Sequence, residues 1–573
     1  MMQIVIPMSG FGERFRRAGY AVPKPLIEID GKPIIGHVLD LFPGEPDVLF
    51  ICNQDHLDDP AYRMTEILRR LCPTGRVCGI PPHKLGPVHA VQLAREHIDP
   101  ARPVVVNYCD FTCYWNWEHF KRFVQECGCD GAIPAYRGFH PHSLGTTNYA
   151  YLREQGGWAV DIQEKQPWTD DRMTEYASSG TYYFASGAAM FAAFEATVAQ
   201  NLNVNGEHYV SLAYKPMFAA GKRVAIYPLQ HFMQWGTPED VNEYLGWSAA
   251  FRALLDPASI ASKSAPPRGA LVVPMAGLGE RFRREGYDLA KPVIPVSGRP
   301  MVMQAVASLP AALEHAFVLR GDMPGLDVVD AALRRAYPDA VLPVVEHVTE
   351  GQACTAAIGV DALVADRRSI DALGITFGAC DFGCLYDTDA LAALMDDPST
   401  DLIVWAVRGN ANAIRRPQMF GWIKTEGGSD RIEHVSVKQA LDDPRTDPIV
   451  LGTFTFRRVA DFRACLDRMV ARDGRVNGEF YLDTCVNDAL ALGLACRVFV
   501  VDHYLSWGTP DDLRTFEYWQ SCFHQWASHP YRIEADPWVA PESVAALAAR
   551  YRLVDPAMLT PRSVTTRSAR ADD

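Results

Sequence analysis

The chain is written twice, and that constrains its fold more than any other feature. "PMSGFGERFRRAGY", starting at Pro7, returns as "PMAGLGERFRREGY" at Pro274, with three differences in fourteen positions. "VNYCDFTCYW" around Asp110 is answered by "FGACDFGCLY" around Asp381, "VNGEHYV" around Glu207 by "VNGEFYL" around Glu479, and "WGTPEDV" at Trp235 by "WGTPDDL" at Trp507. The offset drifts only from 267 at the loop to 271 at the aspartates and 272 at the later motifs. So small a drift implies a whole domain duplicated with few insertions. Solenoid repeats, by contrast, run to only about 20–50 residues. The copies are expected at residues 1–250 and 268–520, joined by a linker at 251–267 that overlaps the Pro/Ser/Ala-containing "LDPASIASKSAPPRGA" (255–270). Residues 521–573 form a C-terminal extension. Its aromatic and apolar part is expected to pack as a helical appendage, and its last dozen residues to be disordered.

Within a copy, short apolar runs alternate with helix-like segments. "QIVIPM", "DVLFIC", "PVVVNYCD" and "VAIYPL" read as buried strands; "PAYRMTEILRRLC", "WEHFKRFVQEC" and "GAAMFAAFEATVAQN" read as amphipathic helices. This alternation predicts a mostly parallel sheet covered on both faces. Ligands of such sheets bind at the C-terminal ends of the strands, where the glycine loop and the Cys-Asp-Phe motif both fall.

A net charge of −14 argues against a general nucleic-acid binder or a binder of anionic membranes, which need a basic face. No apolar stretch reaches the roughly 18 residues that would span a bilayer. The opening "MMQIVIPM" reads as a first strand rather than a signal peptide. Fourteen cysteines without a dense framework suit reduced thiols. A soluble, cytoplasmic protein is expected.

Gly10 and Gly12 follow the first strand directly and precede a basic run. Glycines there let backbone N–H groups approach an anion. A dinucleotide fingerprint would need a third glycine where Phe15 and Phe282 stand, and G-x-x-x-x-G-K-[ST] is absent. A purely structural turn would explain the glycines, but not the recurrence of Arg14 and Lys24 as Arg281 and Lys291.

G-x-G-x-R-F, followed after a gap by P-K-P-L-[IV]-x-[IV]-x-G-[KR]-P, resembles the signature of sugar-phosphate nucleotidylyltransferases (pyrophosphorylases), and the resemblance runs through both copies. It implies two tandem three-layer α/β/α nucleotidyltransferase domains, GT-A-like and Rossmann-like, with mostly parallel mixed sheets. It also implies a reaction in which a nucleoside triphosphate (NTP) and a phosphorylated small-molecule acceptor give an activated diphosphate and pyrophosphate. The "PMxGxGxRFxxxGY" form resembles enzymes of capsule and surface-polysaccharide pathways.

Carried over residue by residue, the resemblance makes Arg14, Lys24, Arg281 and Lys291 the catalytic candidates. Arg14 would neutralise the leaving pyrophosphate and Lys24 would lie against the α-phosphate. Met8, Ser9, Gly10, Gly12 and Glu13, with Met275, Gly277, Gly279 and Gly351, are the nucleotide-binding candidates. Gly351 lies in "TEGQACTAAIG", which resembles the family's base-recognition loop, whereas the first copy reads "HKLGPVHAVQLA". Asp110 and Asp381 match the family's ligand for Mg²⁺ (or Mn²⁺); taken alone a strand-end aspartate would read as a cap, and the loop motif turns the reading to the metal.

Glu164 and Lys165 resemble the family's acceptor-binding Glu-Lys pair; the second copy keeps Lys438 and has Val437 in place of the glutamate. Glu207 and Glu479 read either as acceptor or metal groups or as parts of a turn. Where many relatives place a second metal-binding aspartate, this chain has Gln234 and Ser506, with Glu207 or Asp240 as substitutes. The Cys109/Cys113 and Cys380/Cys384 pairs read as packing thiols rather than zinc ligands.

Two other readings stand beside the transferase. One is a GT-A-type glycosyltransferase using Asp387-Thr-Asp389. The other is one active copy with a non-catalytic partner, to which Val437 and Ala290 (where the first copy has Pro23) point. An internal pseudo-dimer or a homo-oligomer is also expected.

Overall fold

Every residue of the strand Gln3–Met8 is buried, and this near-continuous apolar run sets the centre of the first sheet. A strand can be apolar along its whole length only when both faces are covered. Its parallel neighbours are Val48–Asn53, with Ile4 opposite Val48, and Val104–Asn107, with Ile4 opposite Val105. The computed structural model describes residues 2–256, 266–366, 370 and 374–554. The chain divides into two compact units, Met1–Leu245 with residues from Leu553 on, and Gly246–Arg552.

In the first unit the sheet runs, edge to edge, through Tyr176–Ser178, Ala150–Gln155, Trp158–Glu164, Val224–Leu229, Gly131–Tyr136, Thr181–Phe184, Val104–Asn107, Gln3–Met8, Val48–Asn53 and Arg76–Ile80. The end carrying the glycine loop is parallel, as expected. The other end is largely antiparallel, because Thr181–Phe184 runs against both of its neighbours. A hairpin, Ala150–Gln155 with Trp158–Glu164, turns there at Gly156 and Gly157. Both glycines have positive φ, as a two-residue turn requires. The sheet is therefore mixed, as expected, but antiparallel rather than parallel pairings predominate in it. Helix Trp117–Cys127 starts where the Asn116 side chain accepts from the His119 amide, and it ends at a left-handed Gly128. Ser186 caps Gly187–Ala199 in the same way.

The second unit repeats the main order with nine strands instead of ten: Val344–Val345, Glu314–Arg320, Ala270–Pro274, Ile375–Phe377, Ile449–Phe456, Leu402–Val407 and Cys496–Val500, with Gly421–Thr425 and Ile432–Val437 as a hairpin joined through Ile449–Phe456. The directions match as well: parallel across Ala270–Pro274, antiparallel around Ile449–Phe456, and parallel again at Cys496–Val500. Its three layers can be read from alternation along the strands. Leu402, Val404 and Ala406 belong to one core with the helices Gln352–Ala365, Val459–Ala471 and Leu482–Ala491. Ile403, Trp405 and Val407 belong to a second core, with Met301–Ala307 and Leu326–Ala336.

The boundaries expected at 250 and 520 both fall inside helices, Pro238–Ala253 and Pro510–Gln525. Composition could not reveal this, because both helices continue the apolar pattern past the last repeated motif. Beyond 520, Gln520 donates to Ser297 and Tyr531 and accepts from Tyr551, which anchors the helix Val544–Tyr551 within the second unit. Most of the expected linker (257–265) and everything from 555 on, which includes the last dozen residues expected to be disordered, lie outside the described residues.

Candidate active site

The strand Gln3–Met8 delivers the chain into the glycine loop, and Gly12, with φ +62°, starts the short helix Glu13–Arg17. A side chain would be strained in that left-handed conformation. Phe15, at the place of a third fingerprint glycine, is a core residue, buried and edge-on to Tyr20 at 5.2 Å. Phe282 and Tyr287 repeat the contact at 5.0 Å.

Lys24 opens a 3-10 turn, and its Nζ donates to Asp110 Oδ2 at 2.9 Å; Lys291 and Asp381 make the same pair at 2.6 Å. Burial pulls each ammonium down, but the adjacent aspartate outweighs it, so both lysines sit above their ordinary range and stay charged. The residues ahead of the lysines differ in kind but not in shape. Pro23 has φ −57° and ψ 145°, and Ala290 has φ −60° and ψ 144°. Asp110 lies beyond the end of Val104–Asn107. A Cβ on Gly236 would come within 3.4 Å of its Oδ2, and one on Gly508 within 3.2 Å of that of Asp381. The glycine of each W-G-T-P motif thus leaves room for the aspartate.

A cavity of about 600 Å³ opens over this pair in the first unit. The loop contributes Met8, Ser9, Gly10, Gly12, Glu13 and Arg14 to its wall, and Lys24, Asp110, Glu164, Lys165 and Glu207 line it as well. All eleven first-copy candidates therefore face one space. Lys165 has φ +61°, its amide donates to the Tyr149 carbonyl at 2.8 Å and its Nζ to the Tyr209 hydroxyl at 2.7 Å. Tyr209 in turn donates to Glu207 Oε2 at 2.5 Å. Glu164 Oε2 accepts from Ser211 Oγ at 2.5 Å, and burial raises its pKa against that hydrogen bond.

Glu207 and Glu479 each follow an Asn-Gly turn, with both central residues at positive φ, bridged to Val204 and Val476 respectively. The turn accounts for "VNGE" as a string, and the carboxylate of Glu207 reaches the cavity. Asp240 Oδ2 accepts from the Thr237 amide and hydroxyl and from Gln234, so that oxygen is committed to capping the helix.

In the second unit Lys438 has φ +62°, and its amide donates to the Phe420 carbonyl at 3.0 Å, as Lys165 does to Tyr149. Its Nζ donates to the Met419 carbonyl at 2.6 Å. Burial lowers its pKa, with Asp483 and Glu479 opposing and Arg281 adding to the shift, so these four charges are neighbours. Met275 is buried at the end of Ala270–Pro274, and the loop carrying Gly277 and Gly279 follows.

Gly351, φ +140°, is pressed against Phe480, where a Cβ would fall 2.4 Å from the Phe480 amide nitrogen; Gly86 meets His208 in the same way at 2.6 Å. That close approach requires glycine at both positions, whatever base each loop faces.

Sequence reasoning missed several groups. Tyr209 and Tyr481 recur in the quoted "VNGE[HF]Y" motif, so their signal was present. Arg320, almost wholly buried, donates to the carbonyls of Ala276 and Gly277 at 2.6 and 2.7 Å and fixes the second glycine loop from below. His83 and Lys84 line the cavity, and Lys84 pairs with Glu13 at 2.5 Å.

Burial pushes Cys109 up to about 11 and Cys380 and Cys384 up to about 12, as expected of packing thiols. Among the described residues no group of three or more His, Cys, Asp and Glu could hold a metal ion. Asp110 and Asp381 each offer a hard carboxylate instead. A single carboxylate of this kind fits a hard divalent cation such as Mg²⁺ or Mn²⁺ that takes its other ligands from water or a bound anion. Asp387 of the D-x-D string accepts from the amides of Asp389 and Ala390 and serves as a helix cap. Among the described residues no helix is long and apolar enough to cross a membrane.

Residues 4–167 match the model of the MobA-like NTP transferase domain. The chain is 26% identical over 188 residues to mannose-1-phosphate guanyltransferase beta-A of Xenopus laevis, covering 32% of this chain and 50% of that protein. It is 28% identical over 156 residues to the mannose-1-phosphate guanylyltransferase catalytic subunit beta of Danio rerio, covering 26% and 41%. The chain thus spans about half the length of the curated relatives it matches. A nucleoside-diphosphate-sugar pyrophosphorylase structure from Vibrio cholerae RC9 aligns at 20% identity over 43% of this chain and 98% of that one, with a TM-score of 0.36. The MobA-like match lies in the first unit, on the segment that carries the glycine loop, Lys24, Asp110 and Lys165.

Proposed function

We propose that this chain transfers a nucleoside monophosphate from an NTP to a phosphorylated sugar or similar small phosphate ester, releasing pyrophosphate, for surface-polysaccharide precursor synthesis in the cytoplasm. The supporting observation is the single cavity that gathers the glycine loop, Arg14, the Lys24–Asp110 pair, Glu164 and Lys165. Its volume of about 600 Å³ suits a nucleotide and a small ester together.

An acceptor phosphate oxygen attacks the α-phosphorus in line, forming a new P–O bond as the bond to the β-phosphate oxygen breaks and its electrons leave with pyrophosphate. The attacking phosphate is already ionised at neutral pH, so no base is needed, and catalysis is positioning plus charge stabilisation. The amides from Ser9 to Glu13 hold the triphosphate, and Arg14 neutralises the leaving pyrophosphate. The charged Lys24 lies against the α-phosphate. Lys165 binds the acceptor phosphate and Glu164 its hydroxyl groups, with Glu207 held by Tyr209 beside them. Asp110, and Asp381 in the second unit, would hold Mg²⁺ or Mn²⁺, which when bound neutralises phosphate charge.

The second unit, read as a second copy of this domain, keeps Arg281 and the Lys291–Asp381 pair for the same chemistry. Pyrophosphate release is the test, with each NTP, Mg²⁺ and a panel of phosphorylated acceptors. No release with any pair from folded protein overturns the reading. Consumption of a nucleotide sugar without pyrophosphate chemistry would support a glycosyltransferase instead.

A further inference from the structure

The second unit lacks a carboxylate at the place of Glu164, but three linked exchanges return one from another element. In the first hairpin Glu164 pairs with Ala150, and in the second Val437 pairs with Gly421. The lysines that follow, Lys165 and Lys438, share the same left-handed φ and the same amide bond across the hairpin, so the two frames coincide. Ser211, which donates to Glu164, lies four residues after Glu207; the residue four after Glu479 is Asp483.

The carboxylate of Asp483 occupies the space that Gly421 leaves open. A Cβ at 421 would fall 2.3 Å from Asp483 Oδ2, whereas the first unit has a methyl group at this point, on Ala150. Where the first unit has glutamate on the strand, alanine opposite and serine on the following segment, the second has valine, glycine and aspartate. Random loss of a site would remove the acid without opening a place for another.

We propose that the second unit keeps its own acceptor subsite for a hydroxylated phosphate ester, in which Asp483, rather than a strand residue, accepts hydrogen bonds from the ester's hydroxyl groups beside the cations Lys438 and Arg281. This rests on the reading of the first cavity as an acceptor site. Asp483 is one methylene shorter than Glu164 and enters from the helix Leu482–Ala491, so the two units select esters that differ in where their hydroxyls lie. Burial pushes Asp483 up to about 6, with Lys438 opposing the shift, which leaves it ionised and an acceptor at neutral pH.

The test is calorimetric titration of the full chain carrying Glu164→Gln and Lys165→Ala, which weakens the first subsite. The probes are glucose 1-phosphate, myo-inositol 1-phosphate, glycerol 3-phosphate and, as a control without hydroxylated carbon, inorganic phosphate. At least one ester is expected to bind more tightly than inorganic phosphate. Adding Asp483→Asn should weaken that ester roughly ten- to a hundredfold while leaving inorganic phosphate within about twofold. Gly421→Ala, which displaces the carboxylate without removing it, should weaken the ester in the same direction. Circular dichroism checks that each variant is folded.

The inference is overturned if no ester outbinds inorganic phosphate in this background, or if Asp483→Asn weakens ester and phosphate equally. Pyrophosphate release is scored separately. Release that persists while Asp483→Asn has no effect removes the inference and leaves the transferase reading. Asp483-dependent ester binding with no pyrophosphate release from any NTP does the reverse.

Discussion

Lys24→Met tests the centre of the mechanism, because it keeps most of the side-chain stem and removes only the ammonium. In the folded protein that ammonium sits 2.9 Å from Asp110, with the two side chains 24% and 28% exposed. The pair is shielded enough that Asp110, left alone, is incompletely solvated, at a cost of about 1–3 kcal/mol of fold stability. The larger effect belongs to the reaction. Losing one preorganised cation from a transition state that redistributes phosphate charge costs about 3 kcal/mol of barrier, roughly a hundredfold in rate. The contact tightens as the reaction proceeds, so kcat should fall while KM for the NTP changes little.

A coupled pyrophosphate assay at saturating NTP measures the loss of rate, and urea unfolding measures the loss of stability. The pH dependence separates them further. The folded pKa of Lys24 lies above its ordinary 10.5. Its contribution to stability is therefore fully present below that value and lost as pH rises through the folded pKa. The stability gap to Lys24→Met should stay level between about pH 7 and 10 and close above that. Lys291→Met is the companion variant; Ala290 in place of Pro23 is one of the two features, with Val437, that point to a less active second copy and hence to a smaller loss there. Matching backbone angles at Pro23 and Ala290 and a matching ion pair remove that reason, so each lysine should govern its own unit's reaction. Folded Lys24→Met, Lys291→Met and the double variant all retaining more than about a third of wild-type turnover would refute the assigned role, since a transition-state cation cannot be so dispensable.

Gly351→Ala combines a positive φ with a Cβ 2.4 Å from Phe480 and should cost about 2–4 kcal/mol, read as a lower urea midpoint with an unchanged slope. Arg320→Met should cost about 2–4 kcal/mol by leaving the Ala276 and Gly277 carbonyls without their donor, and it should raise the KM for the NTP handled by the second unit. Burial lowers His140 to about 3 and His231 to about 4, so the unfolded chain takes up protons that the fold refuses. Stability should then fall as pH drops below 6.5, by up to about 1.4 kcal/mol per pH unit for each histidine, and His140→Gln should make that slope shallower.

The repeat, the buried strands and the loop with its cations were legible in the sequence because each depends on residues close together in the chain. The helix at Trp117–Cys127 begins and ends where its pattern predicted. The extent of antiparallel pairing was less legible, because strand direction depends on how the chain returns to the sheet, and a hairpin strand carries the same apolar alternation as a crossover strand. Val437 read as the loss of a carboxylate because its compensation lies 46 residues away, at Asp483. Only the cross-strand register at Gly421 and the helix packed behind it bring the two together. Arg320 was invisible for a related reason: a lone arginine at a strand end is ordinary until its two carbonyl acceptors are known.

The shared strand order has a consequence for synthesis. Two sheets of the same order and direction, made from one chain, offer each strand a wrong partner of the right geometry, and tandem homologous domains misassemble by that route. All the strands of the first unit's large sheet lie between Gln3 and Leu229, ahead of the first strand of the second at Ala270. The ribosome therefore releases one complete set of edges before the competing set exists. Refolding from denaturant removes that order, so the protein should recover less completely from urea than it emerges from translation.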